Sequence, residues 1–309
     1  MAKFFGDVLV ELAQTDDRIF GVSCDCWGFI AGLGAAFPGH AIEVGIAEQN
    51  LIGVAAGLAL RGKMPFAVGM NPFVTMRCFE QIRTDLGYGR RNVKVIGGYG
   101  GGLMYAGWGC THHAMEEVAL MRLIPEMTVF FPADGFETEM ATRAAAEIDG
   151  PCFISLQGGE LPGQGPEEQR RFEVGRANVL REGNDVTVIG VGPIMGETIR
   201  AGELLAAEGV NARILNMHTI KPLDAEAVLC AARETPLIVT VEEHTVVGGL
   251  GGAVAETLAE AGCGKLRRLG LQDEFCRMVG SYEDVRERHG ISAEGIAAAV
   301  RGALQDRAL

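Results

Sequence analysis

Short apolar runs alternate with segments of helical period twice along this chain, and a stretch with nothing to bury separates the two series. In the first series, residues 19–23, 65–68, 93–96, 128–131 and 152–156 read as strands, with helices over 5–13, 47–60 and 137–147. In the second, strands are expected over 186–189, 212–215, 237–241 and 266–269, and helices over 196–208, 225–232 and 251–261. Strands joined through helices need crossover connections, so they pair in parallel and carry helices on both faces. The expected fold class is therefore α/β, as two consecutive doubly wound domains with mainly parallel sheets. Between them, Gly158-Gly159-Glu160-Leu161-Pro162-Gly163-Gln164-Gly165-Pro166 and the charges after it read as a connector. This sets domains at 1–157 and 176–309, with a linker over 158–175.

Charge and cysteine usage narrow the function classes. Lys+Arg 27 against Asp+Glu 40 gives a net charge of −13, which repels nucleic acid and anionic membranes. No segment reaches the roughly 20 apolar residues of a membrane span, and the first residues lack a signal-peptide pattern. A cytoplasmic protein is expected. The eight cysteines show no CxxC pair, so reduced, buried thiols are expected. Cys24-Asp25-Cys26 has no His or Cys near it to complete a metal set, and no metal site is assigned to the chain itself.

Glycine is abundant, with 44 residues, and this raises the question of a phosphate site. Gly190-Val191-Gly192-Pro193-Ile194-Met195-Gly196 follows a strand and opens a helix, like a dinucleotide fingerprint. The next strand, however, ends in Asn216-Met217-His218 rather than in an acid that could hold a ribose. Gly248-Gly249-Leu250-Gly251-Gly252 also opens a helix. It could hold an anion at the helix N-terminus or serve close packing.

The segment Val44-Gly45-Ile46-Ala47-Glu48-Gln49-Asn50 leads into a helix that is apolar nearly all round and rich in small residues, so burial on most sides is expected. A carboxylate at such a place is costly unless hydrogen-bonded or protonated. This segment resembles the pyrimidine-binding domain of transketolases and deoxyxylulose-phosphate synthases. The resemblance continues through Gly109-Cys110-Thr111-His112-His113-Ala114-Met115-Glu116-Glu117, Phe131-Pro132-Ala133-Asp134, Thr219-Ile220-Lys221-Pro222-Leu223-Asp224 and Val241-Glu242-Glu243-His244 before the second glycine turn. It covers nearly the whole chain but only the C-terminal half of the family's length.

The resemblance implies thiamine-diphosphate-dependent ketol transfer, a two-carbon unit passing from a ketose-like donor to an aldehyde acceptor. It assigns Glu48 to N1′ of the aminopyrimidine, where a shared proton lets the 4′ nitrogen take the proton from thiazolium C2. Phe73 would stack on the pyrimidine, with Met70 and Met76 as apolar walls. His112 would hydrogen-bond the reacting centre. Asp25, Phe29, Tyr99, Trp108, His112 and His113 are the substrate-side candidates, with His113 standing where glutamine is usual.

In that family, a GDG…N motif in a separate N-terminal domain holds the diphosphate and Mg²⁺. The motif is absent here, and Asp134-Gly135 does not replace it. A chain with Glu48 but without that motif implies a partner: the N-terminal subunit of a split transketolase, in a homodimer of heterodimers. The family's substrate-phosphate contacts fall at Ala2, Phe29, Gly100 and Gly158, none of which can bind phosphate through its side chain, and Trp108 replaces an acid. An unphosphorylated or less polar substrate is expected, or an anion site relocated to Arg77, Arg83 or Arg90. The alternatives are the β subunit of a 2-oxo acid dehydrogenase and a non-catalytic, transketolase-like assembly subunit.

Overall fold

The computed structural model describes residues 4–159, 161–164 and 169–305. Ala2, Glu160 and positions 165–168 of the expected linker lie outside the described residues. The first series of elements is α1 (Phe5–Ala13), β1 (Ile19–Ser23), α2 (Ala31–Ala36), β2 (Ala41–Glu43), α3 (Glu48–Leu60), β3 (Met64–Met70), the short α4 (Phe79–Gln81), β4 (Lys94–Gly98), α5 (Glu117–Leu123), β5 (Thr128–Phe130), α6 (Gly135–Glu147) and β6 (Cys152–Ser155). Wide π-helical turns, Phe73–Arg77 and Ile82–Tyr88, flank α4. The second series is β7 (Asn178–Arg181), β8 (Val186–Gly190), α7 (Met195–Ala207), β9 (Ala212–Asn216), β10 (Thr219–Lys221), α8 (Ala225–Glu234), β11 (Ile238–Thr245), α9 (Leu250–Ala261), β12 (Leu266–Leu271), α10 (Tyr282–Arg288) and α11 (Ala293–Gln305).

Two sheets result, as the alternation implies. Their orders are β10-β5-β6-β4-β3-β1-β2 and β12-β11-β8-β9-β7. Pairing is parallel except at one edge of each, β10 on β5 and β7 on β9. The β10 pairing joins the two halves: a strand from the second series extends the first sheet. Lys221 anchors it, its Nζ donating to the carbonyls of Arg122 at 2.9 Å and Ile124 at 2.5 Å. One apolar cluster accordingly runs from Leu51, Val118 and Met121 through Ile220 to Leu250 and Val254.

Acidic residues in the recurring motifs start helices. Asp134 caps α6 by accepting from Glu137 N, and Asp224 caps α8 by accepting from Ala227 N. Asp134 also pairs with Arg170 at 2.6 Å and accepts from Leu161 N. Phe172 stacks on His218 with ring centroids 4.1 Å apart. The described part of the connector is thus pinned to both halves.

Two expectations need correction. Helix α3 buries Leu51, Ile52, Ala55 and Ala56, yet Gly53, Gly57 and Leu60 are exposed. Within this chain it packs on β1, β3 and the helical turns around α4, which leaves its far side open, so burial on most sides is not met. The thiols are unpaired, but Cys110 and Cys263 are exposed and Cys230 is half-buried, because Cys110 lies in a surface turn and Cys263 follows the C-cap of α9. Among the described residues, no helix is long and apolar enough to cross a membrane.

Candidate active site

Parallel strands β1, β3 and β4 end side by side at Ser23, Met70 and Gly98, and a parallel sheet opens its crevice at such carboxyl ends. Glu43 shapes the rim: its Oε1 accepts from Asp25 N at 3.0 Å and Gly45 N at 2.9 Å. Gly45 has φ +72° and exposed Asp25 has φ +53°, both in the left-handed region that a sharp turn needs. The turn delivers Glu48 as the first residue of α3, with Ala47 N donating to Cys24 Sγ.

Glu48 is 3% exposed. Its carboxylate is not held by the helix start but by Arg77, whose Nη1 lies 2.8 Å from Oε1 and 2.7 Å from Oε2. The same guanidinium lies over the Phe73 ring, 4.5 Å from its centroid. Phe73 meets His112 edge to face at 5.3 Å, and His112 Nδ1 is 2.9 Å from Thr111 Oγ1.

Aromatic contacts continue outward. His112 touches Trp108 at 4.8 Å and Tyr105 at 6.2 Å; Tyr105 meets Tyr99 at 6.1 Å, and Tyr99 meets Phe29 at 4.8 Å. Trp108 is 62% exposed, so the wall is open to solvent. Glu48, Phe73, His112, Trp108, Tyr99 and Phe29 therefore lie along one run of contacts. Met70 ends β3 and Met76 shares the π-helical turn of Phe73.

His113 does not share that open face. It is 1% exposed, neither ring nitrogen has a hydrogen-bond partner, and burial lowers its pKa. Of the three arginines considered for a relocated anion site, Arg77 is taken by Glu48, Arg90 pairs with Glu126 at 2.7 Å, and Arg83 is exposed. The pairing of Arg77 with Glu48 was not legible in the sequence. The one local signal was its position four residues after Phe73, on the same face of a helical turn.

Behind the wall, the loop after β4 is clamped from both halves. Gly102 N donates to Glu117 Oε1 at 3.1 Å, and Leu103 N donates to Glu243 Oε2 at 3.2 Å. A Cβ on Gly101 would lie 2.5 Å from both Glu117 Oε1 and Ser155 Oγ. Glu117 is fully buried, and desolvation raises its pKa well above the usual carboxylate range. Glu243 in turn accepts from Tyr282 Oη and Arg286 Nε.

The neighbouring motif residues also have structural partners. His244 Nδ1 is 2.6 Å from Thr245 O, while its Nε2 accepts from Ala119 N, which fixes one neutral tautomer. Burial pushes its pKa down to about 4. Glu242 accepts from Leu250 N at 2.7 Å and Gly251 N at 2.8 Å. The start of α9 is therefore filled by the chain's own carboxylate, and the second glycine turn is not open to an outside anion.

The other glycine motif serves packing. A Cβ on Gly190 would meet Met195 Sδ at 2.5 Å, and one on Gly192 would meet the Phe131 ring at 3.1 Å. Asn216, at the end of the next strand, is bound to Glu137. Burial pushes the Cys24 and Cys26 thiols up to about 11 and about 12. Among the described residues, no group of three or more His, Cys, Asp and Glu side chains is placed to hold a metal ion.

Comparison with known proteins extends this geometry. The pyrimidine-binding domain of transketolase matches residues 1–164 and the transketolase C-terminal domain matches residues 175–296. The chain is 41% identical over 293 residues to the 6-deoxy-6-sulfo-D-fructose transketolase subunit SqwH of Clostridium sp. (strain MSTE9), covering 94% of this chain and 90% of that one. It is 36% identical over 296 residues to an apulose-4-phosphate transketolase subunit of Phocaeicola vulgatus, covering 95% and 94%. A solved split-gene transketolase, described as an inactive β4 tetramer, superposes with a TM-score of 0.88 at 40% identity over 97% of both chains. These relatives are transketolases rather than β subunits of 2-oxo acid dehydrogenases. By sequence across both domains and by fold over nearly its whole length, this chain belongs to the transketolase family and is a transferase subunit of the split transketolase type.

Proposed function

We propose that this chain is the smaller subunit of a two-component, thiamine-diphosphate-dependent transketolase, with the active site at the carboxyl ends of β1, β3 and β4. The observation that carries this reading is the buried Glu48 carboxylate beside the Phe73 face, with His112 in contact with the same ring. A flat, nitrogen-rich cation already fits between the carboxylate and the ring, the guanidinium of Arg77. An aminopyrimidine needs the same two partners, an acceptor at its edge and an aromatic ring at its face.

Bound thiamine diphosphate supplies a nucleophilic carbon and an electron sink for breaking the donor C–C bond. Glu48 shares a proton at N1′. Its burial keeps water from competing for that bond. Phe73 holds the ring plane, and Met70 and Met76 border it. His112, with Nδ1 against Thr111 Oγ1, keeps Nε2 for a substrate oxygen. Asp25 at the rim completes the substrate-side set, whereas buried His113 stays off the open face.

The diphosphate and Mg²⁺ are assigned to the N-terminal partner subunit, because this chain carries no GDG…N motif. The open face of α3 with Gly53, Gly57 and Leu60 supports an assembly across that helix, as a homodimer of heterodimers. For the substrate, buried Phe29, with Tyr99 packed edge-on against it, stands where the family binds phosphate, and Gly100 and Gly158 offer no side chain. This supports an unphosphorylated or less polar donor or acceptor.

The test is coexpression with the partner subunit, followed by assay of cofactor binding and ketol transfer. Glu48→Ala should lower turnover by at least about a hundredfold while the complex stays assembled. Wild-type turnover in that variant removes Glu48 from catalysis and favours a non-catalytic subunit. Efficient use of xylulose 5-phosphate with ribose 5-phosphate by the same complex would sink the substrate reading.

A further inference from the structure

We propose that Arg77 is a placeholder for the cofactor: its guanidinium sits between Glu48 and Phe73, and the pyrimidine must displace it to reach both. This rests on the assignment of Glu48 and Phe73 as the pyrimidine's partners, and it adds a residue that competes for both.

A single group makes both contacts. Nη1 bridges the two Glu48 oxygens at 2.8 and 2.7 Å, and the guanidinium carbon lies 4.5 Å from the Phe73 centroid. A guanidinium is planar, donates in its plane and stacks through its face, which are the properties an aminopyrimidine presents to the same partners. The two groups cannot hold the carboxylate and the ring face together.

The placeholder has a structural purpose. Glu48 is 3% exposed, and a carboxylate buried without a partner is strongly unfavourable. Until the cofactor arrives, Arg77 satisfies it from a side chain that is itself 47% exposed, so the guanidinium has open space into which to leave. Phe73 and Arg77 begin and end one π-helical turn, a wide turn that recurs at functional sites. The backbone near Arg77 has a separate tie, Gln49 Nε2 donating to Arg77 O at 3.3 Å, so the side chain can swing away while the turn stays in place.

The proposal makes cofactor affinity a competition. Removing the guanidinium from the assembled two-subunit complex should tighten thiamine diphosphate binding roughly five- to tenfold, the range expected from one partly exposed ion pair plus one cation–π contact. The readout is the dissociation constant by calorimetry, with assembly checked by gel filtration. Arg77→Ala should bind most tightly, and Arg77→Gln, which keeps a neutral donor for Glu48, should fall between it and wild type.

In a Glu48→Ala background the gain from Arg77→Ala should shrink, because the guanidinium has lost its anchor. Weaker cofactor binding in both Arg77 variants overturns the proposal and makes Arg77 a cofactor ligand. A cofactor-bound structure with Arg77 still on Glu48 overturns it as well. If Glu48→Ala leaves both the dissociation constant and turnover unchanged, the assignment of the pyrimidine's partners fails instead, which separates the two ideas.

Discussion

Burial, more than residue type, decides what each histidine and acid can do in this molecule. His112 lies on the open aromatic wall, whereas His113, its neighbour in sequence, is buried with both ring nitrogens unpartnered. His218 and His244 are pushed down to about 4 by desolvation. Each is neutral when folded but takes a proton near pH 6.5 when unfolded, so stability is full above that pH and is lost as pH falls towards 4. Glu137 and Glu242 run the opposite way. Burial raises both to about 7, so their contribution is present below pH 4.5 and lost as pH rises through 7. His218→Phe should keep the stack on Phe172 and remove one titration. Urea denaturation between pH 6.5 and 4 should then show a stability loss smaller by up to about 3 kcal/mol; an unchanged pH dependence would contradict the assignment. At this scale Glu48 and His112 stand in the motifs that carry the resemblance and Phe73 at the place of a family aromatic, and the fold brings the three side chains together. The pairing of Arg77 was not legible, since nothing local to residue 77 shows which acid lies in reach.

Elements built on plain periodicity came out nearly as expected. Helix α3 runs Glu48–Leu60 and strand β1 runs Ile19–Ser23, because strand alternation and helix period are properties of a few neighbouring residues. The π-helical turns Phe73–Arg77 and Ile82–Tyr88 had no such signature. Their wide hydrogen-bond spacing departs from the period on which helix reading depends. The loop after β4 was equally hidden: Gly100 read only as a position without a phosphate-binding side chain, yet the glycine beside it, Gly101, serves close approach to Glu117 and Ser155. Gly101→Ala should therefore destabilise the protein by about 1–3 kcal/mol by overpacking, measured by chemical denaturation. Turnover should fall too, because Gly102 bridges Ala114 in the segment that carries His112. A neutral substitution would mean that the loop has room the geometry denies it.

At the scale of the whole molecule, the two halves are less separate than two consecutive domains suggest. Strand β10 crosses into the first sheet, Glu243 clamps Leu103 N, and one apolar cluster draws on both series. Thermal unfolding of the full chain should be a single calorimetric transition; two resolved transitions would show that these contacts do not couple the halves. By itself, the sequence determined the α/β alternation, the mainly parallel pairing, the acid at the start of α3 and the family, because each is written in short local patterns or in their order. Only the tertiary structure decided that Arg77 closes on Glu48 from 29 residues away, that Glu242 fills the start of α9, and that Glu243 reaches a loop 140 residues distant. The reason is physical. Whether a charge is paired, plugged or left open depends on distances between segments and on the water their packing excludes, and these exist only once the chain has folded.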